Sequence, residues 1–216
     1  MRRILVFCLA IFAIGVPAHS ASAQAQKLVY TVHHSRYGTI GTFTNTVEKS
    51  GDATIVRTEA RIAVSLLGVS FYRQEASREE RWNGDRLVSF HGVTTVNDRS
   101  LELNGKADGD RFVLMSPDGE IDAPADVRLA NPWSASVLRG DTMITPDRGR
   151  MENIQIKAGD TTTVSLGRRQ IRAKRYEIDR LDGQKRYEVF LDDRGTVVMF
   201  SSFSTDGTTT TFTLEG

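Results

Sequence analysis

Hydrophobic and polar residues alternate along most of the chain beyond its first two dozen positions. A period of two is typical of strands that bury one face. Runs rich in Val, Ile, Thr, Tyr and Phe are separated by Asn-Gly, Asp-Gly and related pairs, which adopt the backbone of tight hairpins at low cost. The pattern predicts an antiparallel meander with strands over residues 28–34, 39–47, 54–66, 86–96, 112–115, 154–157, 172–178, 187–191, 197–203 and 208–214.

The segment 69–82, VSFYRQEASREERW, interrupts this pattern because it is polar at nearly every position from Arg73 to Arg81. Its residues are good helix formers. On a helical wheel, however, Glu75, Arg78 and Glu79 fall within the arc of the apolar residues, so no apolar helical face forms. The segment is therefore predicted to be a strand.

A tight loop at residues 67–69 would pair this strand with the clearly alternating segment 54–66. Arg61 then lies opposite Glu75 and Arg57 opposite Glu79, and opposite charges at such positions stabilise a sheet. This register places Tyr72, Gln74, Ala76, Arg78, Glu80 and Trp82 on the inner face.

The inner face of this strand is aromatic at both ends and polar in the middle. We expect it to lie outside the dry core and to line the wetter part, or the rim, of a groove in a curved sheet. The alternative is an edge strand whose charges discourage strand-to-strand aggregation.

One short helix is predicted within residues 131–140. Asn131 suits the N-cap, Pro132 the first helical position and Gly140 the C-terminus, while Trp133 and Val137 share one face. Such a helix would pack on the concave face of the sheet. The segment 120–130 follows no regular pattern. The fold class is therefore all-β: a strongly curved antiparallel meander, a half-barrel or open barrel, with one short helix on its concave face.

Residues 1–23 have the form of a signal peptide: Arg2 and Arg3, an apolar run over 4–16, and a cleavage site of small residues at Ala23 or Ala25. The apolar run is shorter than the roughly 20 residues that a membrane-spanning helix needs. Residues 24–216 then form a single all-β domain. A short signal and a cysteine-free domain favour the bacterial periplasm.

Composition excludes several kinds of partner. Without Arg2 and Arg3, 26 basic residues face 27 acidic ones, a net charge of −1 that does not suit nucleic-acid binding. The only cysteine, Cys8, lies in the predicted signal peptide, so no disulfide-linked partner is expected.

Catalytic and metal-binding patterns are also missing from the sequence. His33 and His34 would point to opposite faces of a strand, and His91 is the only other histidine of the 24–216 domain, which is too few for a typical zinc site. The chain has no G-x-S-x-G sequence and no glycine-rich phosphate loop, and Glu79 and Glu80 would point apart. We therefore expect no metal, no cofactor and no enzymatic activity.

A ligand site remains as the functional hypothesis. Apolar walls beside a few polar groups are common in small-molecule sites. The predicted ligand-binding residues are Tyr72, Gln74, Arg78, Glu80, Trp82, Trp133 and Val137. They suggest a non-catalytic periplasmic binding or carrier protein for a lipid-like or apolar ligand. Three alternatives stay open: a plain hydrophobic core, an envelope structural or protein-interaction module that uses an exposed strand edge, and, third, a hydrolase whose activity would be lost in Glu80→Gln or His91→Ala.

Several short motifs occur in the order seen in one family of secreted, uncharacterised Gram-negative β-proteins. They are YTV (30–32), GTIG (38–41), WNGDRL (82–87), NPW (131–133), Asp147 with Gly149, AKRYEI (173–178), FLDDRGTVV (190–198), and DG (206–207) ahead of FTL (212–214). The chain resembles this family, filed as a domain of unknown function. The family is distantly similar to the half-barrel of the periplasmic lipoprotein carrier, which implies a curved sheet that holds an apolar ligand beneath helices. The single predicted helix here is a departure from that carrier.

Overall fold

A computed structural model describes residues 24–66, 68–183 and 186–216 of the protein. The predicted signal peptide, 1–23, lies outside these residues. The described chain forms fifteen strands in one sheet. They are β1 (Gln24–His34), β2 (Gly38–Ser50), β3 (Ala53–Leu66), β4 (Val69–Asn83), β5 (Arg86–Val96), β6 (Arg99–Asp108), β7 (Arg111–Ser116), β8 (Gly119–Pro124), β9 (Arg128–Leu129), β10 (Thr142–Thr145), β11 (Arg150–Leu166), β12 (Arg169–Arg180), β13 (Arg186–Leu191), β14 (Val197–Phe203) and β15 (Thr209–Leu214).

The two ends of the described chain meet in the middle of the sheet. Strand β1 pairs with β2 on one side and with β15 on the other, and the order runs β8 to β1 and then β15 to β9. Strands β8 and β9 therefore form the two edges, although only residues 125–127 separate them in sequence. So short a link requires the edges to lie near each other, and the sheet must curl strongly.

The curled sheet stays open. Strand β8 pairs only with β7, and β9 pairs only with β10, in the single parallel pairing among the described strands. The prediction of an all-β, curved and mainly antiparallel fold is confirmed in this form, as one large open sheet.

The prediction of a helix within residues 131–140 is wrong. In this segment only Ala135–Leu138 are helical, and they form a single 3₁₀ turn. Ser134 caps this turn, because its hydroxyl accepts a hydrogen bond from the Ser136 backbone N–H. The Asn131 side chain does not cap the turn and instead donates hydrogen bonds to Thr58 and Glu80. None of the described residues forms a helix with the length and hydropathy needed to cross a membrane.

The register predicted for β3 and β4 is confirmed. Arg57 is the partner of Glu79, and Arg61 is the partner of Glu75. The Arg57 Nε also lies 3.0 Å from a Glu79 carboxylate oxygen, as the charge pairing required. This register turns the even-numbered residues of β4 inward.

Several strands were not predicted, notably β6, β8, β9, β10 and most of β11. Strand β11 continues through residues 158–163, AGDTTT, where small and polar residues resemble a turn but a bulge between Ala158 and Thr161 keeps the strand paired with β12. The unplaced segment 120–130 supplies most of β8 and the short β9. In these strands the partner, rather than local hydrophobicity, decides the conformation.

The inner space has a solid end and a hollow end. Aliphatic and aromatic residues of β2–β8 fill the solid end, and Val127, Leu129 and Ile144 complete it; among its buried members are Val56, Leu87, Phe90, Phe112 and Leu114. At the other end, clusters from β1–β4 and from β10–β14 face each other without filling the space between them. The division between the two ends falls along β4.

Gly41 provides a test of how closely β2 and β3 must approach. A Cβ at this position would lie 2.0 Å from the Arg61 carbonyl oxygen, so Gly41→Ala must separate two paired strands. We expect a loss of about 3 kcal/mol or more in the free energy of unfolding, measured by urea denaturation.

Gly109→Ala is the matched control. Gly109 has φ +58° and nothing within 4 Å of an added Cβ, so only the left-handed backbone opposes alanine and the loss should be about 1 kcal/mol. Equal losses in the two variants would contradict the close approach of β2 and β3.

Candidate functional site

The inner face of β4 is buried over most of its length, contrary to the expectation of a wet groove or rim. Ala76, Arg78, Glu80 and Trp82 all face inward and are buried, and Glu80 is only 1% exposed. The face can be both polar and buried because neighbouring elements supply hydrogen bonds to it. The alternative of a solvated edge strand is also wrong, since β4 lies between β3 and β5.

Glu80 is the centre of a buried hydrogen-bond network. One carboxylate oxygen accepts hydrogen bonds from the indole N–H groups of Trp82, at 2.9 Å, and Trp133, at 3.1 Å. The other accepts from the Asn131 side-chain amide at 2.5 Å. Three donors therefore surround a carboxyl group that water cannot reach.

Asn131 connects this carboxyl group to strands β2 and β3. Its amide nitrogen also donates to the Thr58 hydroxyl at 3.0 Å, and its amide oxygen accepts from the Asn45 amide at 3.0 Å. Thr58 in turn donates to the Asn45 oxygen at 2.7 Å. Every amide in this network thus donates and accepts, as a buried polar network requires.

The network also positions the segment that follows β9. Ala130 donates its backbone N–H to the Ile144 carbonyl at 2.8 Å, which continues the parallel pairing, and Asn131 and Trp133 then turn inward. The Trp133 ring packs edge-on against Trp82 with 6.0 Å between centroids. The segment is therefore held against the inner face of the sheet by side chains, without a helix.

Burial raises the pKa of Glu80 to about 7, although the hydrogen bonds from Asn131, Trp82 and Trp133 and the charge of Arg78 act to lower it. Desolvation outweighs these effects because a carboxylate loses more solvation than three donors restore. Glu80 therefore titrates near neutral pH.

The hollow end of the inner space is a cavity of about 520 Å³. Most of its wall is aromatic and aliphatic, and the lining residues include Ile62, Phe43, Phe200 and Phe212. The last two rings stack with 4.2 Å between centroids. Pro132 and Val137, from the segment after β9, also line it.

Strand β4 runs from the mouth of the cavity to its floor. At the mouth, Phe71 is 48% exposed and its ring meets that of Tyr37, itself partly exposed, at 5.6 Å. At the floor, Arg78 also lines the cavity but is only 8% exposed. The next inward residue, Glu80, belongs to the buried network, so the cavity ends where the network begins.

Two tyrosine hydroxyl groups are among the polar groups that line the cavity. Tyr72 donates its hydroxyl to the Gln74 side-chain oxygen at 2.6 Å, and burial raises the pKa of Tyr72. On the opposite wall, burial and the nearby Glu152 and Asp147 raise the pKa of Tyr187 to about 12. Both phenols stay neutral at physiological pH and can serve as hydrogen-bond donors.

The seven residues predicted to bind a ligand divide into two groups. Tyr72, Gln74, Arg78 and Val137 line the cavity. Glu80, Trp82 and Trp133 do not line it and instead form the buried network beside its floor. The separation has a simple cause: the inner face of β4 passes from the hollow end into the solid end between Arg78 and Glu80.

Sequence reasoning missed the other walls of the cavity. Phe43 on β2, Phe200 on β14 and Phe212 on β15 come together because β1 pairs with β15. The inward alternation of each strand could have indicated a buried aromatic residue. No local signal in the sequence indicates that β1 and β15, the first and last described strands along the chain, are neighbours in the sheet.

Comparison with known proteins identifies the family. The sequence profile of a domain of unknown function, DUF6134, matches residues 30–215, so the chain belongs to this family. The expected membership of an uncharacterised β-domain family is confirmed. No curated protein matches the sequence.

The fold is similar to a crystal structure described as a β-barrel-like protein of domain of unknown function DUF1849 from Brucella abortus. The TM-score is 0.62, and the similarity covers 87% of this chain and 94% of that one, at 10% sequence identity. At this identity the likeness concerns the fold alone.

The raised pKa of Glu80 predicts a specific pH dependence of stability. The folded protein favours the protonated form of Glu80. The contribution of this group to folding stability is therefore complete below its ordinary pKa of 4.5 and is lost as the pH rises through about 7. The loss is about 3 kcal/mol for a shift of this size. Glu80→Gln cannot titrate, and urea denaturation between pH 4.5 and 7.5 should show that the variant lacks this loss.

Tryptophan fluorescence provides a second measurement of the same group. The chain has two tryptophans, Trp82 and Trp133, and both donate to Glu80. Emission of the folded protein should change with a midpoint near pH 7, and Glu80→Gln should abolish the change. If the unmodified protein and Glu80→Gln showed the same dependence of stability on pH, and if the emission of the unmodified protein did not change, Glu80 would not titrate in this range.

Proposed function

We propose that this member of the DUF6134 family is a non-catalytic binding or carrier protein that holds a lipid-like or apolar ligand in the cavity. The observation that carries the proposal is the cavity of about 520 Å³, walled mainly by aromatic and aliphatic side chains. Small-molecule sites of this size are commonly apolar with a few convergent polar groups. Here those groups include Tyr72, Gln74 and Arg78 along β4.

The apolar walls support binding rather than simple folding stability. A solidly packed core would gain more from dispersion and burial than an open space of this volume does. Phe43, Phe200 and Phe212 contact one another yet leave their cavity faces without neighbours from the opposite wall. A flexible apolar ligand would complete these contacts.

The proposed place of action is the bacterial periplasm, to which the signal-like segment 1–23 would direct the chain. In that compartment an apolar ligand needs a protein to shield it from water. The exposed Phe71 and Tyr37 at the mouth are suitable for the first contact with such a ligand.

The competing proposal is an envelope structural or interaction module without a small-molecule ligand. The observation in its favour is that, among the strands that the structure describes, β8 and β9 each pair with one neighbour only and so leave one edge free. A free edge can accept a strand from a partner protein.

Native mass spectrometry of protein purified from its own host without detergent, followed by organic extraction, tests the two proposals. A stoichiometric extra mass that extraction removes would support the binding protein. A protein without extra mass that retains a stable protein partner would instead support the interaction module.

A pair of substitutions on one strand of the cavity wall tests the site directly. Ile62 lines the cavity, whereas Ala63 points to the exposed outer face of the same strand. We expect Ile62→Trp to fill the cavity and weaken binding of the neutral fluorophore N-phenyl-1-naphthylamine by about tenfold or more, equivalent to about 1.4 kcal/mol. The measurement is a fluorescence titration.

Ala63→Trp is the matched control and should bind the fluorophore as the unmodified protein does. Circular dichroism verifies that both variants are folded. If the fluorophore bound equally well to both variants, or if it failed to bind the unmodified protein, the cavity would not be the binding site.

A further inference from the structure

Arg78 lies at the floor of the cavity with much of its hydrogen-bonding capacity unused. It is 8% exposed, and its Nη2 donates to the Thr94 hydroxyl at 3.0 Å. Its Nε is buried and has no hydrogen-bond partner among the described residues. The partner position on β5 is Gly92, where an added Cβ would lie 2.8 Å from the Phe90 ring and 3.1 Å from the Arg78 stem, so a larger residue there would crowd the arginine.

The other charged residues that line the cavity have ion-pair partners. Asp147 pairs with Arg148 at 3.7 Å, Glu152 with Arg180 at 3.2 Å, and Glu188 with Arg175 at 3.6 Å. No ion pair within the described ranges includes Arg78. Among the described Arg, Asp and Glu residues that line the cavity, Arg78 is therefore the one that has no oppositely charged group within 4.0 Å.

The nearest inward-facing carboxyl group on β4 does not replace such a partner. Glu80 lies two positions along the strand, but its oxygens are occupied by Asn131, Trp82 and Trp133. Burial lowers the pKa of Arg78 although the charges of Asp147 and Glu80 act to raise it, so desolvation of the guanidinium outweighs the attraction of both carboxyl groups. A buried guanidinium normally has a carboxylate or phosphate beside it, because an unpaired buried charge is strongly destabilising.

We infer that the ligand is an amphipathic acid whose anionic group enters first and pairs with Arg78, while its apolar body extends along the aromatic walls toward Tyr37 and Phe71. This inference rests on the proposed function and adds the chemical class of the ligand. A planar guanidinium suits carboxylates and phosphates alike, since both accept two parallel N–H hydrogen bonds. Gln74 lies on the same face of β4, beside the path of the anionic group.

The test compares tetradecanoic acid, tetradecyl phosphate and the neutral tetradecanol as competitors of N-phenyl-1-naphthylamine in the unmodified protein. We expect at least one of the two acids to bind about tenfold or more tightly than the alcohol, which the charge pairing requires. Whichever acid binds more tightly identifies a carboxylate or a phosphate as the preferred group. Equal affinities for both acids and the alcohol would overturn the inference.

Substitutions then assign the preference to Arg78. Arg78→Met retains most of the apolar stem and should remove the preference for the acid without weakening tetradecanol binding. Arg81→Met is the matched control, because Arg81 lies on the exposed outer face of the same strand, where it pairs with Glu79 at 2.7 Å, and it should retain the preference. Loss of the preference in Arg81→Met, or its retention in Arg78→Met, would overturn the inference.

The outcomes separate this inference from the function on which it rests. Tight binding of tetradecanol and the acids alike would leave the apolar binding protein standing without an anion site. Binding of no probe would remove both. If Arg78→Met failed to fold, Arg78→Lys provides the second variant: it keeps the charge but cannot form two parallel hydrogen bonds, so the preference should fall without disappearing.

Discussion

The buried carboxyl group of Glu80 is the constraint on which the rest of the interior depends. An acidic group with 1% exposure is tolerated only if hydrogen-bond donors surround it. Those donors come from Trp82 on the same strand and from Asn131 and Trp133, some fifty residues later in the chain. Satisfying one side chain therefore holds the segment after β9 against the sheet, and that segment separates the solid end from the cavity.

Arg78 and Glu80 form a polar boundary between the solid end and the hollow end of the inner space. Both face inward on β4, and the charge of Arg78 favours the ionised form of Glu80 while burial opposes it. An anion beside Arg78 would offset that charge, and the pKa of Glu80 would then rise further. The network and the cavity floor are in this way energetically linked, although only Arg78 lines the cavity.

The cavity also depends on the closure of the chain upon itself. Strand β1 pairs with β15, and the Tyr30 hydroxyl donates to the Val197 carbonyl at 2.9 Å. This pairing brings Phe43 of β2 into ring contact with Phe200 of β14 and Phe212 of β15. Because the edges β8 and β9 stay unpaired with each other, the sheet can curl around a space without the tight interior of a small closed barrel.

The sequence alone determined the all-β class, the pairing of β3 with β4 and the inward residues of β4. The alternation predicted an all-β chain, and the charges of Arg57, Arg61, Glu75 and Glu79 predicted the register of β3 with β4, since opposite charges and a period of two leave one consistent pairing. The same pattern identified the inward residues of β4. It did not reveal whether that face is wet or dry. Only the tertiary structure decided this, because the donors to Glu80 come from Asn131 and Trp133, and the walls opposite Arg78 from the C-terminal strands. Contacts between residues so distant in sequence depend on how strands are ordered in the sheet, which no local pattern encodes.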